Sequence, residues 1–547
     1  MLQSSTSRVK PTTERTYVTL FRGDYGRLSL LLLALLVLTG LPHLYALLKE
    51  SGQQVYMGIV SDVPDTTQYF AWLRAHQESL IVSNWMTPEP NEPAFFNLLW
   101  LVLGHLALWT GLSFTGVFQV MRICAGLSFG FTLFWLYGLL AESRRERWLA
   151  TLLVLLGGGV GWIWVIEKYV SGRSDLLFPL DAQVAEPNTF LSLIGYPHFL
   201  IAAALMFAIF GLFVVAERLH QMRWFVLAAV VALLLSVQHA YDLLTIYLVL
   251  GAYVLLRWWN SGKLPWHSAI GLTIIGLVSS PPAAYFTYLT STDPMWRQVL
   301  AQFSNAGIFT PNPLHLLIIF GPQLPLAVAA LPALWRRRSD ADLLLLSWVV
   351  VGFGLLYIPT DFQIHMLNPY QVPLALLAMR VVLRFAETPG KYTLLRRWAP
   401  IGLLLLALPI NVYLLSWRVL DLNRQSAPYF LHRDEVAALE WLNQQPDHEV
   451  VLSSETLGQY APALSGKRAV LAHWAQSVDY YTKRDEVALF FAPTSAQNQR
   501  QAVIERYNVR YVLAGDAELA AGAGPALDAA GLELVFEQPH ARVYMVK

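Results

Sequence analysis

The chain has 547 residues, of which 55% are hydrophobic and 14% charged, with a formal net charge of +1. Soluble domains carry roughly a quarter charged residues, so a chain this long cannot cover a soluble surface and lipid must take up the excess. A net charge this close to zero gives no electrostatic footprint for nucleic acid, and the single cysteine, Cys124, excludes an intramolecular disulfide or a cysteine zinc site.

Residues 1–27 form a polar, basic tail. The apolar run Leu28–Leu48 is too long for a signal peptide and lacks a small-residue cleavage site, so it reads as a retained anchor. A first outer loop, 49–95, follows. Further apolar runs span Phe114–Leu140, Trp148–Ile166, Phe190–Ala216, Trp224–Val237, Leu243–Leu256, Ala269–Leu289, Leu314–Leu334, Leu343–Ile358, Leu367–Val382 and Ile401–Trp417. A short run, Phe95–Trp109, carries Gly104 and His105. If it dips into the membrane without crossing, the cations sort to one side. Arg8, Lys10, Arg15, Arg22 and Arg27, the Arg144–Arg145–Arg147 cluster, Arg218, Arg223, Arg257, Lys263, Arg336 to Arg338, Lys391, Arg396 and Arg397 then all face the cytoplasm. The pattern predicts a polytopic α-helical membrane protein with about eleven crossings over 28–418, its N-terminus inside and its C-terminus outside.

The candidate chemistry gathers on the outer side. In Ser61–Tyr69, Asp62 and Asp65 are three residues apart and share a face on a helical turn, with Pro64 near the helix start. Asp65 can serve as a base or cap a helix over Thr66–Gln77. Glu89 and Glu92 follow in a proline-rich stretch where solvated loop carboxylates are the plain alternative. Arg122 lies about two turns inside its span, where a cation calls for an anionic partner, a carboxylate or a lipid phosphate. Glu186 and Asn188 end the second outer loop, and Asn188 can cap the following span. His198 opens one span. His239 and Asp242 occupy the polar turn between two short spans, a position tolerated where backbone lines a wet cavity or is buried in protein. Asp361 and His365 lie just outside another span, and Pro281-Pro282 predicts a kink or unwinding. The histidines and carboxylates at one level are compatible with a divalent metal, although none has zinc-motif spacing; hydrogen-bonded histidines are the simpler account.

Composition changes after Trp417. Between Asp421 and Lys547 there are 11 Lys/Arg against 16 Asp/Glu, a net of −5. Helical periods over Asp434–Asn443, Asp479–Phe491 and Ala496–Tyr507 alternate with strand-like Glu449–Leu452, Arg468–Ala472 and Val509–Ala514. A hairpin, Leu532–Phe536 with Arg542–Val546, ends the chain. Residues 419–547 therefore read as a soluble extracytoplasmic α/β domain. It carries no glycine-rich nucleotide motif.

The stretch Pro64-Asp65-Thr66-Thr67-Gln68-Tyr69-Phe70-Ala71-Trp72-Leu73-Arg74, set between an N-terminal span and a many-span body, resembles the first outer loop of the GT-C superfamily of integral-membrane glycosyltransferases. That superfamily includes protein O-mannosyltransferases and aminoarabinose transferases. The resemblance implies a polyprenyl-phosphate-linked sugar donor in the bilayer, inverting transfer on the outer face, Asp65 (with Asp62 second) as base or metal ligand, and Arg122 at the donor phosphate. The adjacent Asp-Glu pair of many members is absent. The acceptor is left open. Two other classes share some of these features: a transporter or flippase, which uses intramembrane ionisable groups and broken helices, and a scaffold whose α/β domain binds a partner.

Overall fold

Every apolar run becomes helical, and among the described residues eight stretches are long and apolar enough to cross a membrane. The computed structural model describes residues 22–547 except 177, 305–308, 389–391 and 447. Most of the 1–27 tail, with Arg8, Lys10 and Arg15, and also Lys391, lies outside the described residues. The elements run α1 (Arg22–Lys49), β1 (Gln54–Tyr56), α2 (Val63–Glu78), α3 (Leu98–Thr110), α4 (Phe114–Leu140), α5 (Arg144–Leu156), α6 (Gly161–Ser171), α7 (Thr189–Gly195) and α8 (Pro197–Leu219). Then follow α9 (Met222–Ser236), α10 (Asp242–Ser261), α11 (Trp266–Thr292), α12 (Pro294–Phe303), α13 (Leu316–Ile319), α14 (Gln323–Arg337), α15 (Asp340–Leu355), α16 (Gln371–Glu387), α17 (Thr393–Ala407) and α18 (Pro409–Leu422).

Four of the expected single spans are broken, and each break has a local cause. Gly157, Gly158 and Gly159 separate α5 from α6, and a Cβ on Gly159 would stand 2.0 Å from the Ile318 carbonyl oxygen. Pro197, Pro322 and Pro409 follow the breaks between α7 and α8, α13 and α14, and α17 and α18. The residue before proline is disfavoured in the α region, and Tyr196 (φ −130°, ψ 56°) and Gly321 (φ 53°) leave it, whereas Leu408 before Pro409 keeps α-like angles (φ −78°, ψ −37°). Of the kink or unwinding expected at Pro281-Pro282, the unwinding does not occur: α11 stays helical through both. The two prolines withdraw the N–H partners of the Leu277 and Val278 carbonyls, a loss that a membrane helix tolerates where its surroundings re-satisfy those groups.

α3 has 13 residues, about 20 Å at 1.5 Å per residue, too short to cross. It lies against α2 at Gly104, where a Cβ would meet Leu73 O at 2.4 Å, and Gln77 donates to Gly104 O. The ends of α1 and α4 show the parity directly. Asp24, at the start of α1, pairs with Arg144, just past the end of α4. The start of α1 and the end of α4 therefore lie at one level, as they must when α3 is not counted as a crossing.

The C-terminal body contains β2 (Phe430–His432), α19 (Arg433–Asn443), β3 (Val450–Leu452), α20 (Glu455–Ser465), β4 (Arg468–Ala469), α21 (Tyr480–Phe491), α22 (Gln497–Tyr507), β5 (Tyr511–Ala514), α23 (Asp516–Ala520), α24 (Ala523–Asp528), β6 (Glu533–Gln538) and β7 (Ala541–Met545). Its five-stranded sheet has the order β4-β3-β5-β7-β6. The first three strands are parallel and the last two pair antiparallel. This body is sewn to the first outer loop. β1 pairs antiparallel with β2, Ala469 N donates to Trp85 O, and buried Lys483 pairs with Glu89 at 2.6 Å. Apolar residues of α2, α3 and α4 share one buried cluster with Leu439, Leu442, Val451 and Tyr460 of the C-terminal body.

Candidate active site

The site begins with the first turn of α2. Asp62 takes a left-handed conformation (φ 47°) as the cap, and its carboxylate accepts the Asp65 N–H at 3.5 Å. The helix thus starts at Val63, three residues earlier than expected, with Pro64 in its first turn. Capping falls to Asp62, and the Asp65 side chain is released from that duty.

Asp65 Oδ1 instead meets His473 Nε2 at 2.7 Å. His473 is fully buried in the turn after β4. Its Nδ1 accepts the backbone N–H groups of Ala475 (3.0 Å) and Gln476 (3.3 Å). With the Nδ1 lone pair engaged, the ring proton sits on Nε2, which donates to Asp65. Burial pushes the Asp65 carboxyl up, but the His473 hydrogen bond and the nearby imidazoles outweigh it and hold the group below the ordinary carboxylate range. Burial, and then the Asp65 charge, push Asp62 well above that range. The two carboxyls are thus pushed in opposite directions, Asp65 toward the ionised form and Asp62 toward the neutral one.

Asp65 stands on the wall between two cavities. The larger, about 290 Å³, is lined by Asp65, Tyr69, Trp100, His198, His239 and His365 among others. The smaller, about 240 Å³, is lined by Asp62, Asp65, Glu186, Tyr196, His365 and Trp474 among others. Tyr69 bridges at the larger side, its hydroxyl 3.5 Å from Asp65 Oδ2 and 3.4 Å from His198 Nε2. The structure thus brings Asp62, Asp65, Glu186, His198, His239 and His365 to one centre.

The histidines are paired through hydrogen bonds. His239 Nδ1 donates to Asp242 Oδ2 at 2.6 Å and its Nε2 accepts from Tyr241 (2.8 Å). His365 Nδ1 donates to Glu186. Among the described residues, one set brings three metal-ligating atoms within 4.8 Å of one another: His432, Asp434 and His540, in the C-terminal body. There His432 Nδ1 accepts the Asp434 N–H, His540 Nδ1 meets Asp516, and the two rings lie tilted at 32° with centroids 3.9 Å apart. At the Asp65 centre, Asp65 and Glu186 are each committed to a histidine, and as they stand these residues do not close on a metal.

No protein-family model matches the sequence, and no curated protein matches it. Solved structures match its fold. The apo oligosaccharyltransferase of Archaeoglobus fulgidus superposes with a TM-score of 0.57 at 12% identity, over 96% of this chain and 75% of that one. The oligosaccharyltransferase AglB from Archaeoglobus fulgidus in complex with an inhibitory peptide and a dolichol-phosphate gives 0.51 at 13% identity, over 94% and 74%. ArnT from Cupriavidus metallidurans bound to undecaprenyl phosphate gives 0.51 at 11% identity, over 97% and 98%. Both proteins are GT-C glycosyltransferases. The chain has the GT-C fold.

In this GT-C body the remaining candidates separate. Arg122 lines neither cavity. It is buried against α1 and α7, where its guanidinium donates to Gln119 (2.7 Å), Thr39 (3.1 Å), Leu36 O and Leu193 O (both 3.3 Å). Among the described residues its partners are carbonyl and hydroxyl oxygens of α1, α4 and α7, not a carboxylate. Glu89 holds Lys483, joining loop to C-terminal body, and Glu92 is exposed. Asp361 accepts from the Ser304 hydroxyl at 3.0 Å. Asn188 caps α7. A cation that the sequence pattern does not single out is Arg418, near the end of α18. It donates to Val60 O and the Tyr429 hydroxyl, and its charge reaches Asp62. It sits one residue beyond the last apolar run, Ile401–Trp417.

Proposed function

We propose that the chain is a GT-C glycosyltransferase that moves a sugar from a polyprenyl-phosphate carrier to an acceptor at the extracytoplasmic face, with Asp65 as general base. The observation that carries this reading is Asp65, held by His473 at 2.7 Å where two cavities meet. The prenyl-phosphate partners of the structural neighbours, dolichol-phosphate and undecaprenyl phosphate, support the donor class. The cation bias of the loops supports an inside N-terminus and an outside C-terminal body.

In this reading an acceptor hydroxyl attacks the anomeric carbon. Its oxygen bonds to C1 while the C1–O bond to phosphate breaks, and its proton passes to Asp65. Oδ1 takes the short bond from His473 and Oδ2 only a long one from the Tyr69 hydroxyl, so Oδ2 is the freer oxygen to accept it. General-base catalysis of this kind contributes about 10²–10⁴-fold. One displacement inverts the anomeric centre. The phosphate leaves with the bonding pair, and Arg418 is the cation whose field reaches this side of the site.

The test offers radiolabelled polyprenyl-phosphate sugars to wild-type protein and Asp65→Asn in reconstituted vesicles. Transfer or hydrolysis by wild type, falling at least ~10²-fold in the variant, is expected. Equal activity in both would remove Asp65 from the chemistry. Flipping of the carrier with no bond cleavage would replace a transferase with a transporter.

A further inference from the structure

Four side chains lining the larger cavity each end in a buried polar atom with no hydrogen-bond partner among the described residues: His198 Nδ1, Gln238 Nε2, Trp296 Nε1 and Gln476 Oε1. They come from four places in the chain: the start of α8, the turn between α9 and α10, α12, and the turn after β4. Buried polar groups are nearly always satisfied, and an unmade bond is costly. Packing alone does not account for four such atoms from separated segments around one void. They offer donors and acceptors of the neutral kind, amide, indole and imidazole.

Aromatic rings fill the space between them. Tyr69 stacks on Trp100 with centroids 4.5 Å apart, Trp72 on Phe95 at 4.3 Å, and Phe95 on Trp296 at 5.7 Å. Among the described residues no lysine or arginine lines the cavity, and its one carboxylate is Asp65. Flat apolar faces with a few convergent neutral polar groups suit a ring whose two faces are C–H and whose rim is hydroxyl.

We propose that this cavity is the subsite for a single uncharged pyranose. The proposal rests on the transferase reading and names its sugar class. A uronate or phosphorylated ring would enter without a cation to meet it and would face the ionised Asp65. An amino sugar's ammonium would find only Asp65 as counter-ion and would quench the base. A neutral ring meets neither penalty. It stacks on the aromatic walls while its hydroxyls satisfy the four stranded atoms, one of them, Gln476, supplied by the C-terminal body. The ring is either the glycosyl group of the donor or the acceptor sugar, since both present the same chemistry.

The experiment uses full-length protein in lipid nanodiscs, free of sugar-based detergent, with ligand binding followed by tryptophan fluorescence. The probes are methyl glucoside, methyl mannoside and N-acetylglucosamine as neutral rings, and glucosamine, glucuronate and glucose 1-phosphate as charged ones. At least one neutral ring is expected to bind about tenfold or more tighter than its charged analogues. That binding falls about 5–10-fold in Gln238→Leu and in Gln476→Leu, the worth of one hydrogen bond, with unfolding temperatures reported alongside. Displacement of the probe by an undecaprenyl-phosphate sugar assigns the ring to the donor, and simultaneous binding assigns it to the acceptor. Charged rings binding as well as neutral ones, no binding of any neutral ring, or neutral binding indifferent to both glutamine variants would overturn the proposal. Neutral-ring binding without any transfer would overturn the transferase reading and leave the subsite standing.

Discussion

Replacing His473 by asparagine separates the two jobs the histidine performs. In His473→Asn the introduced amide oxygen can take the place of Nδ1 and keep the Ala475 and Gln476 N–H groups bonded, as asparagine does in Asx turns. The shorter side chain withdraws the donor from Asp65. A hydrogen bond to an ionised group is worth about 1.5–3 kcal/mol, and one pKa unit is about 1.36 kcal/mol, so the Asp65 pKa rises by about 1–2 units. The sign follows from which form the bond stabilises: the donor favours the carboxylate, its loss favours the acid, and burial, which already pushes upward, is then less opposed. In wild type the acid limb of kcat/KM lies below the ordinary aspartate value of about 3.9, leaving the profile flat on its acid side from about pH 5. In His473→Asn that limb moves to higher pH by about 1–2 units, while His473→Gln, whose amide reaches toward the carboxylate, restores part of it. An acid limb that stays in place or moves to lower pH would refute the assignment of His473 as the group that holds Asp65 ionised.

Arg122→Gln should lower the unfolding temperature, at about 1–3 kcal/mol for the carbonyls left unmatched, while the KM for the lipid donor stays within about twofold of wild type. A tenfold rise in that KM with an unchanged unfolding temperature would return Arg122 to the donor phosphate. Glu89→Gln leaves Lys483, 1% exposed, without its anion. Breaking a buried pair costs about 3–5 kcal/mol. Because Glu89 is 38% exposed, water screens part of that, and a loss of about 1–3 kcal/mol is expected, read as earlier thermal unfolding and faster proteolysis of the C-terminal body.

What is legible in the sequence and what is not divides by range. Composition carries the spans because lipid exposure is a property of every residue in a run, and Phe114–Leu140 matches α4 at both ends. The short run is legible as a non-crossing helix through the sorting of cations. Breaks at Pro197, Pro322 and Pro409 escape an apolar average, which does not register prolines, although the prolines are in plain view. Asp62 and Asp65 can be located but not given their duties, since one left-handed residue decides which of them caps α2, and its φ does not show in a pattern. In the C-terminal body the hairpin and β5 follow from alternation, while α20 is hidden because Gly458 and Pro462 interrupt its period. His473 is out of reach: it meets Asp65 from 408 positions away, across what reads as a domain boundary. The one local signal is a histidine next to a tryptophan in a short loop after a buried strand.

That boundary does not act as one. A soluble appendage would pack on itself and touch the membrane body through a linker. Here β2 completes a ribbon with β1, α20 lies on α2, and the turn after β4 delivers His473 to Asp65 and Gln476 to the cavity beside it. The order of the chain makes this arrangement economical. The first outer loop leaves α1 and the C-terminal body leaves α18, and these two helices pack against each other, so both emerge at one place and fold over one opening. Asp65 contributes the carboxylate from one of them, and the other sets its charge. The site is therefore complete when the last segment of the chain has docked, and any change that loosens the docking, such as loss of the Glu89–Lys483 pair, should weaken the chemistry through the ionisation of Asp65 before it disturbs the spans.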